Sequence, residues 1–217
     1  MMSRSIYAIG DLHLSGMVNK PMDVFGSQWL DHWVRIREDW TARIRPEDIV
    51  LIPGDISWAM QPEDARPDMD SIGSLPGKKI MIRGNHDYWW SSLAKVRSIL
   101  PPSVEVLQNN SLTLDGYTFC GTRGWINPGM KDFGEHDAKI YNRELQRLKL
   151  SLDSTLSSPA GDMAGGAGNQ LIVMLHYPPF DDHGQATDAV RLLEQYKPSH
   201  VVYGHLHGEG TRYAYEG

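Results

Sequence analysis

The sequence predicts an α/β protein in which helices cover a mixed β-sheet. Three observations carry this. Short β-branched runs recur along the chain, helical patterns alternate with them, and each of the clearest runs ends at a Gly-, Asn- or His-bearing turn. The runs Ile6–Ile9, Ile49–Ile52, Lys79–Ile82, Leu171–Leu175 and His200–Tyr203 are mostly apolar on both faces, as strands covered on both sides require. Ser103–Leu107, Ser111–Leu114 and Tyr117–Cys120 read as further strands, and their hairpin spacing makes the sheet mixed rather than purely parallel.

Between the strands, Trp29, Trp33, Trp40 and Ile44 follow helical spacing from Ser27 to Ile44. Ser91–Leu100 reads as a helix stopped by Pro101-Pro102. Ala138–Leu152 carries the apolar stripe Tyr141, Leu145, Leu148 and Leu152, with Lys139, Arg143 and Arg147 on a solvated face. Asp188–Tyr196 forms a last helix before Lys197-Pro198. The small-residue stretch Ser157–Asn169 reads as a surface loop, and no internal repeat is visible.

The 217 residues fit a single domain, 1–217, large enough to hold a core without disulfides. No run of 18 apolar residues is present, so no membrane helix is expected. No signal peptide is visible, and Cys120, alone in the sequence and closing an apolar strand, reads as an inert buried thiol. Together they predict a cytoplasmic protein. The net charge of −6 and pI near 5.8 disfavour nucleic acid as a partner. They leave room for an anionic substrate, because a bound metal reverses the local sign.

Five clusters follow five strands: Gly10-Asp11-Leu12-His13, Gly54-Asp55, Gly84-Asn85-His86-Asp87, His176, and Gly204-His205-Leu206-His207. In open α/β sheets, sites form beyond the carboxyl ends of strands, which is where these clusters stand. Asp-x-His alone is uninformative, since Asp181-Asp182-His183 repeats it. By composition, Gly-His-x-His is expected about 0.04 times and Gly-Asn-His-Asp about 0.002 times, so those two motifs carry the weight. Imidazole, carboxylate and amide oxygen together suit Mn²⁺, Fe²⁺, Zn²⁺ or Co²⁺. Seven candidate ligands exceed the four of a structural zinc site, and two ions sharing a carboxylate use them all.

The ordered set Asp11-x-His13, Gly54-Asp55, Gly84-Asn85-His86-Asp87, His176 and Gly204-His205-x-His207 resembles the calcineurin-like metallophosphoesterases. Wider wording, Pro53 to Trp58, Arg83 to Trp90 and Gly121 to Trp125, is similar to a bacterial branch of predicted phosphohydrolases. The resemblance implies a four-layer αββα sandwich with mixed sheets, metallo-dependent phosphatase-like, and a dinuclear site at the strand ends. It implies that Asp11, His13 and His207 hold one ion, Asn85, His176 and His205 the other, and that Asp55 bridges them. Mn²⁺ leads the candidate ions. His86 then faces the leaving-group oxygen as proton donor, with Asp87 orienting its ring. The chain stops ten residues after His207, where the family usually continues with further strands, so a C-terminal truncation is expected.

The implied reaction is hydrolysis of a small-molecule phosphomonoester or phosphodiester by attack of a metal-bridging hydroxide. Arg83 and Asn85 are candidates to bind the phosphate, the former through its planar fork, and Arg123 to reach it from a second loop. Trp89, with Trp90 and Trp125, is a candidate to line the substrate pocket. Core packing is the competing reading for these indoles and for Trp58 and Tyr88. The alternatives to this function are a nuclease acting on single strands and a non-catalytic scaffold of the same fold; an intact His86 disfavours the scaffold.

Overall fold

Strand β2, Ile49–Ile52, is buried at all four positions, and this apolar run organises the first half of the chain. A computed structural model describes residues 4–156, 170–181 and 183–207. The predicted loop Ser157–Asn169 lies outside the described residues. The chain divides into two compact units, Met1–Val106 and Leu107–Gly217, each built on its own four-stranded sheet.

In the first unit, β1 (Ile6–Ala8), β2, β3 (Lys78–Met81) and β4 (Val104–Val106) lie in that order, all parallel. Helices α1 (His32–Arg43), α2 (Pro62–Gly73) and α3 (Leu93–Arg97) connect them. Trp40 of α1 and Ala65, Met69 and Ile72 of α2 join Val50, Ile52 and Met81 in one core. Indole bonds tie the helices down: Trp33 Nε1 donates to Ser71 Oγ at 3.0 Å and Trp40 Nε1 to Pro76 O at 2.9 Å.

The predicted helix from Ser27 to Ile44 begins only at His32. Asp31 before it is left-handed (φ 50°), and Ser27–Trp29 forms a separate 3₁₀ turn after another at Met22–Phe25. Trp29 therefore leaves the helical stripe. Helix α2 has no counterpart among the predicted elements. Its stripe is thin and Pro67 interrupts it, although Pro62 suits the first helical turn.

In the second unit the order is β5 (Ser111–Leu114), β6 (Tyr117–Thr122), β7 (Gln170–Leu175) and β8 (His200–Tyr203). β5 and β6 make the antiparallel hairpin, and β6, β7 and β8 run parallel, so this sheet is mixed as expected. Helix α4 (Glu135–Leu156) lies on it, pinned by Ser151, whose Oγ accepts from Gly121 N at 2.8 Å and donates to Asn110 O at 2.8 Å. Leu148 and Leu152 of α4 pack with Val173, Leu175 and Leu193, the last from α5 (Asp188–Tyr196). Cys120 is buried there, and burial pushes its thiol up to about 12, which keeps it protonated and unreactive. Among the described residues no helix is long and apolar enough to cross a membrane.

Candidate metal centre

The parallel ladder between β1 and β2 does not stop where the strands do. Ile9 N donates to Leu51 O (3.0 Å), Asp11 N to Gly54 O (3.0 Å), His13 N to Asp55 O (2.9 Å) and Leu14 N to Ile56 O (2.9 Å). The two chains thus stay in register past the sheet, and this fixes Asp11 and His13 beside Asp55. All three have left-handed backbones, with φ of 55°, 47° and 52°. Outside glycine such φ values are uncommon, with Asp, Asn and His enriched among the exceptions, and they concentrate where side chains must be aimed.

The side chains converge accordingly. His13 Nε2 lies 3.8 Å from Asp55 Oδ2 and 4.0 Å from Asp11 Oδ1. A ligand atom of Asp11 also lies within 4.8 Å of one on Asp55. Ligands about 2.0–2.2 Å from an ion stand about 3–4 Å from each other, and the two distances from His13 fall at the upper end of that range.

The loop after β3 closes on this cluster from the other side. A Cβ on Gly84 would fall 2.1 Å from Asp55 Oδ1, so only glycine lets the backbone pass there. Two residues on, His86 N donates to Asp55 Oδ1 at 2.8 Å. Asp55 therefore has one oxygen set by the loop amide and the other turned to His13. Asn85 and Arg83 lie half-buried in the same loop.

Asp87 is tied into the backbone around it. It is fully buried and accepts from Gly84 N (2.7 Å), Ile56 N (2.8 Å), Ser57 N (3.1 Å) and Trp89 Nε1 (3.0 Å). Through those four donors it knots two loops together. Burial pushes its carboxyl above the usual range, with the four hydrogen bonds opposing.

The aromatic residue that faces His86 is Trp58, with ring centroids 4.7 Å apart. Trp58 also stacks on His13 at 4.9 Å, while Trp29 lies edge-on to His13 at 6.0 Å. Lys20 Nζ stands 4.6 Å over the Trp58 ring, and Trp58 Nε1 donates to Met22 Sδ at 3.3 Å. Trp89 and Trp90, the pocket candidates from sequence, are instead buried in the core of the first unit, at 0% and 3% exposure. Tyr88, just before them, is exposed and lies 6.3 Å from the His86 ring. Residue adjacency to a motif hid this sorting, because a tight turn sends consecutive rings to opposite environments.

The second unit carries the remaining candidates. His176 is buried at the end of β7, where its N and that of Tyr177 both donate to Arg123 O, at 3.0 and 2.9 Å. Gly204 N donates to His176 O at 3.1 Å, which brings the β8 exit alongside. The His205 ring lies 5.2 Å from His176 and 4.2 Å from Tyr177, on a left-handed backbone (φ 71°). His207 is exposed. The guanidinium of Arg123, a phosphate-binding candidate from sequence, already has protein partners. It donates to Glu144 at 3.3 Å and lies 4.5 Å over Trp125. Trp125 itself is held by a bond to Asp137 Oδ1 at 3.0 Å.

Comparison with known proteins places the chain in a family. The profile of the family described as calcineurin-like phosphoesterase matches residues 4–209. Gene 66 protein of Mycobacterium phage D29 is 34% identical over 87 residues, 38% of this chain and 40% of that protein, so the matched stretch spans less than half of that relative. Phosphopantetheinyl hydrolase of Mycobacterium tuberculosis shares the fold, with a TM-score of 0.50 at 14% identity over 94% of this chain and 83% of that one. A protein of unknown function from Aquifex aeolicus aligns over 90% of this chain and 95% of its own, with a TM-score of 0.43 and 15% identity. With a family profile matched from β1 to beyond His207, the chain belongs to the calcineurin-like phosphoesterase family.

Proposed function

We propose that this protein is a dinuclear-metal phosphohydrolase acting on a small-molecule phosphomonoester or phosphodiester. The observation that carries the reading is the convergence of Asp11, His13 and Asp55 on three left-handed backbones. Following the family resemblance, Asp11, His13 and His207 hold one divalent ion, Asn85, His176 and His205 the other, and Asp55 serves both. Mn²⁺ is the leading candidate because the donors are oxygens and imidazoles without a thiolate. Such ions, when bound, supply Lewis acidity and lower the pKa of water near neutrality.

The chain's own residues supply the rest. Asp55 keeps one oxygen fixed by His86 N, so the carboxylate cannot rotate away from the ligand set. His86, its ring held beside Trp58, gives a proton to the departing alkoxide or phenoxide. Arg83, at the mouth of the same loop, meets the phosphoryl oxygens. A net charge of −6 supports a small substrate over nucleic acid, and the lone Cys120 fits a reducing, cytoplasmic setting.

The test is hydrolysis of bis-p-nitrophenyl phosphate, p-nitrophenyl phosphate and single-stranded DNA by metal-stripped protein, with and without added Mn²⁺. The reading expects Mn²⁺-dependent release of nitrophenolate from at least one ester and no cleavage of DNA. Absence of metal-dependent turnover on both esters overturns it, and cleavage of DNA alone favours a nuclease.

A further inference from the structure

Asp68 stands on α2, away from every motif, yet it reaches the base of the candidate centre. Its side chain is buried, with 5% of the residue exposed. Oδ1 accepts from Gly16 N at 3.0 Å, and Oδ2 accepts from Ser57 Oγ at 2.5 Å. Gly16 lies three residues after His13, and Ser57 lies two after Asp55. One carboxylate therefore holds the exits of both loops that carry ligands.

Several features show that this contact is built in. A Cβ on residue 16 would fall 2.6 Å from Asp68 Oδ1, so glycine is what admits the carboxylate. The Ser57 hydroxyl, while donating to Asp68, accepts from Ala59 N at 3.2 Å and is thereby fixed in direction. The two segments are also joined to each other, through Leu14 N to Ile56 O (2.9 Å) and Trp58 N to Leu14 O (2.8 Å). The partners of Asp68 are an amide and a hydroxyl rather than a cation, and burial pushes its carboxyl above the ordinary range. A carboxylate buried in this way is a poor stabiliser of a fold, because the desolvation cost meets no compensating charge.

Left-handed aspartate and histidine backbones persist only when their surroundings over-determine them. The ladder fixes Asp11, His13 and Asp55 from the strand side, and Asp68 fixes the other end of each loop. We infer that Asp68 is a positioning residue for the metal centre, clamping from helix α2 the two loops that present His13 and Asp55. This inference rests on the metal-binding reading of those residues given above.

The experiment compares the full chain with Asp68→Ala, Asp68→Asn and Ser57→Ala, each stripped of metal and titrated with Mn²⁺ by calorimetry. Thermal melting and ester hydrolysis at saturating Mn²⁺ run beside it. Loss of a residue that orients metal ligands weakens metal affinity about 10–100-fold. Asp68→Ala is expected in that range, Ser57→Ala nearer its lower end, and Asp68→Asn between wild type and Asp68→Ala because one acceptor for Gly16 N survives. KM for the ester at saturating metal is expected to stay within twofold. Should Asp68→Ala fail to fold, Ser57→Ala removes only one of the two bonds and carries the test. Folded variants with wild-type Mn²⁺ affinity overturn the inference. So does a loss of affinity that merely follows the loss of folded protein in every variant. If wild type itself binds no Mn²⁺, it is the metal-binding reading that fails, and the two failures are thereby distinguished.

Discussion

Trp58 stacks on His13 with ring centroids 4.9 Å apart and planes inclined by 21°. The same indole lies 4.7 Å from the His86 ring. One side chain therefore braces a metal-ligand candidate and the proton-donor candidate at once. Trp58→Ala is expected to lower kcat and Mn²⁺ affinity together, each by about 10–100-fold, as loss of a ligand-orienting partner does. Trp58→Phe, which keeps a ring there, is expected to recover most of both. Calorimetry and steady-state kinetics on the two variants check this; unchanged Mn²⁺ affinity in Trp58→Ala would show that the stack is incidental.

His86→Ala is expected to slow hydrolysis while leaving metal binding nearly intact. The reason is structural: the contact of His86 with Asp55 is made by its backbone N, which the substitution keeps. Loss of a general acid costs about 10²–10⁴-fold, and the loss shrinks for a leaving group as acidic as nitrophenolate. Rates on a nitrophenyl and an alkyl ester decide, since equal losses on both point to phosphate positioning instead.

Trp89 should behave as a core residue. It has 0% exposure and donates to Asp87, which in turn collects the amides of Gly84, Ile56 and Ser57. Trp89→Ala is expected to destabilise the fold by about 3–5 kcal/mol, with no change in the KM ratio between aryl and alkyl esters. Urea unfolding beside kinetics tests this. A changed ratio with an unchanged midpoint would return Trp89 to the substrate pocket.

Lys79 gives a pH signature to stability. It is fully buried on β3, and burial lowers its pKa to about 8. Its ammonium donates to Leu75 O and, at 3.4 Å, to Gly73 O at the end of α2. An unfolded chain keeps this proton to about pH 10.4. Between about pH 8 and 10.4 the unfolded state binds the extra proton, so the contribution of this group rises with pH. It is complete above that window and lost as pH falls to about 8. Lys79→Met removes the dependence. The difference in melting temperature, wild type minus Lys79→Met, should become more positive from pH 8 to 10.4; a constant difference contradicts the shift.

The strand ends and the Asp and His residues that follow them were legible because Gly-Asn-His-Asp and Gly-His-x-His are rare patterns for this composition. The parallel run β1 to β3 was legible for a similar reason, since strands covered on both faces tolerate little but apolar residues. What Asp87 does was not legible, because a motif gives the residue type but not which donors the turn will bring to it. Trp29, Trp58, Trp89 and Trp90 are chemically alike in sequence, and only the left-handed break at Asp31 and the turn at Asp87 sort them between site and core. Helix α2 escaped notice because Ala65, Met69 and Ile72 make a thin stripe among acidic residues and Pro67. Asp68 escaped with it.

Metal stoichiometry of Asp55→Asn against wild type tests the central claim most directly. Asp55 is the carboxylate assigned to both ions, with Oδ1 held by His86 N and Oδ2 turned to His13. An amide there neither carries the charge nor bridges well. After stripping and reloading with Mn²⁺, elemental analysis is expected to find two ions per wild-type chain. For Asp55→Asn it should find fewer than one, with ester hydrolysis abolished. Two ions per chain and normal turnover in the variant would contradict the account.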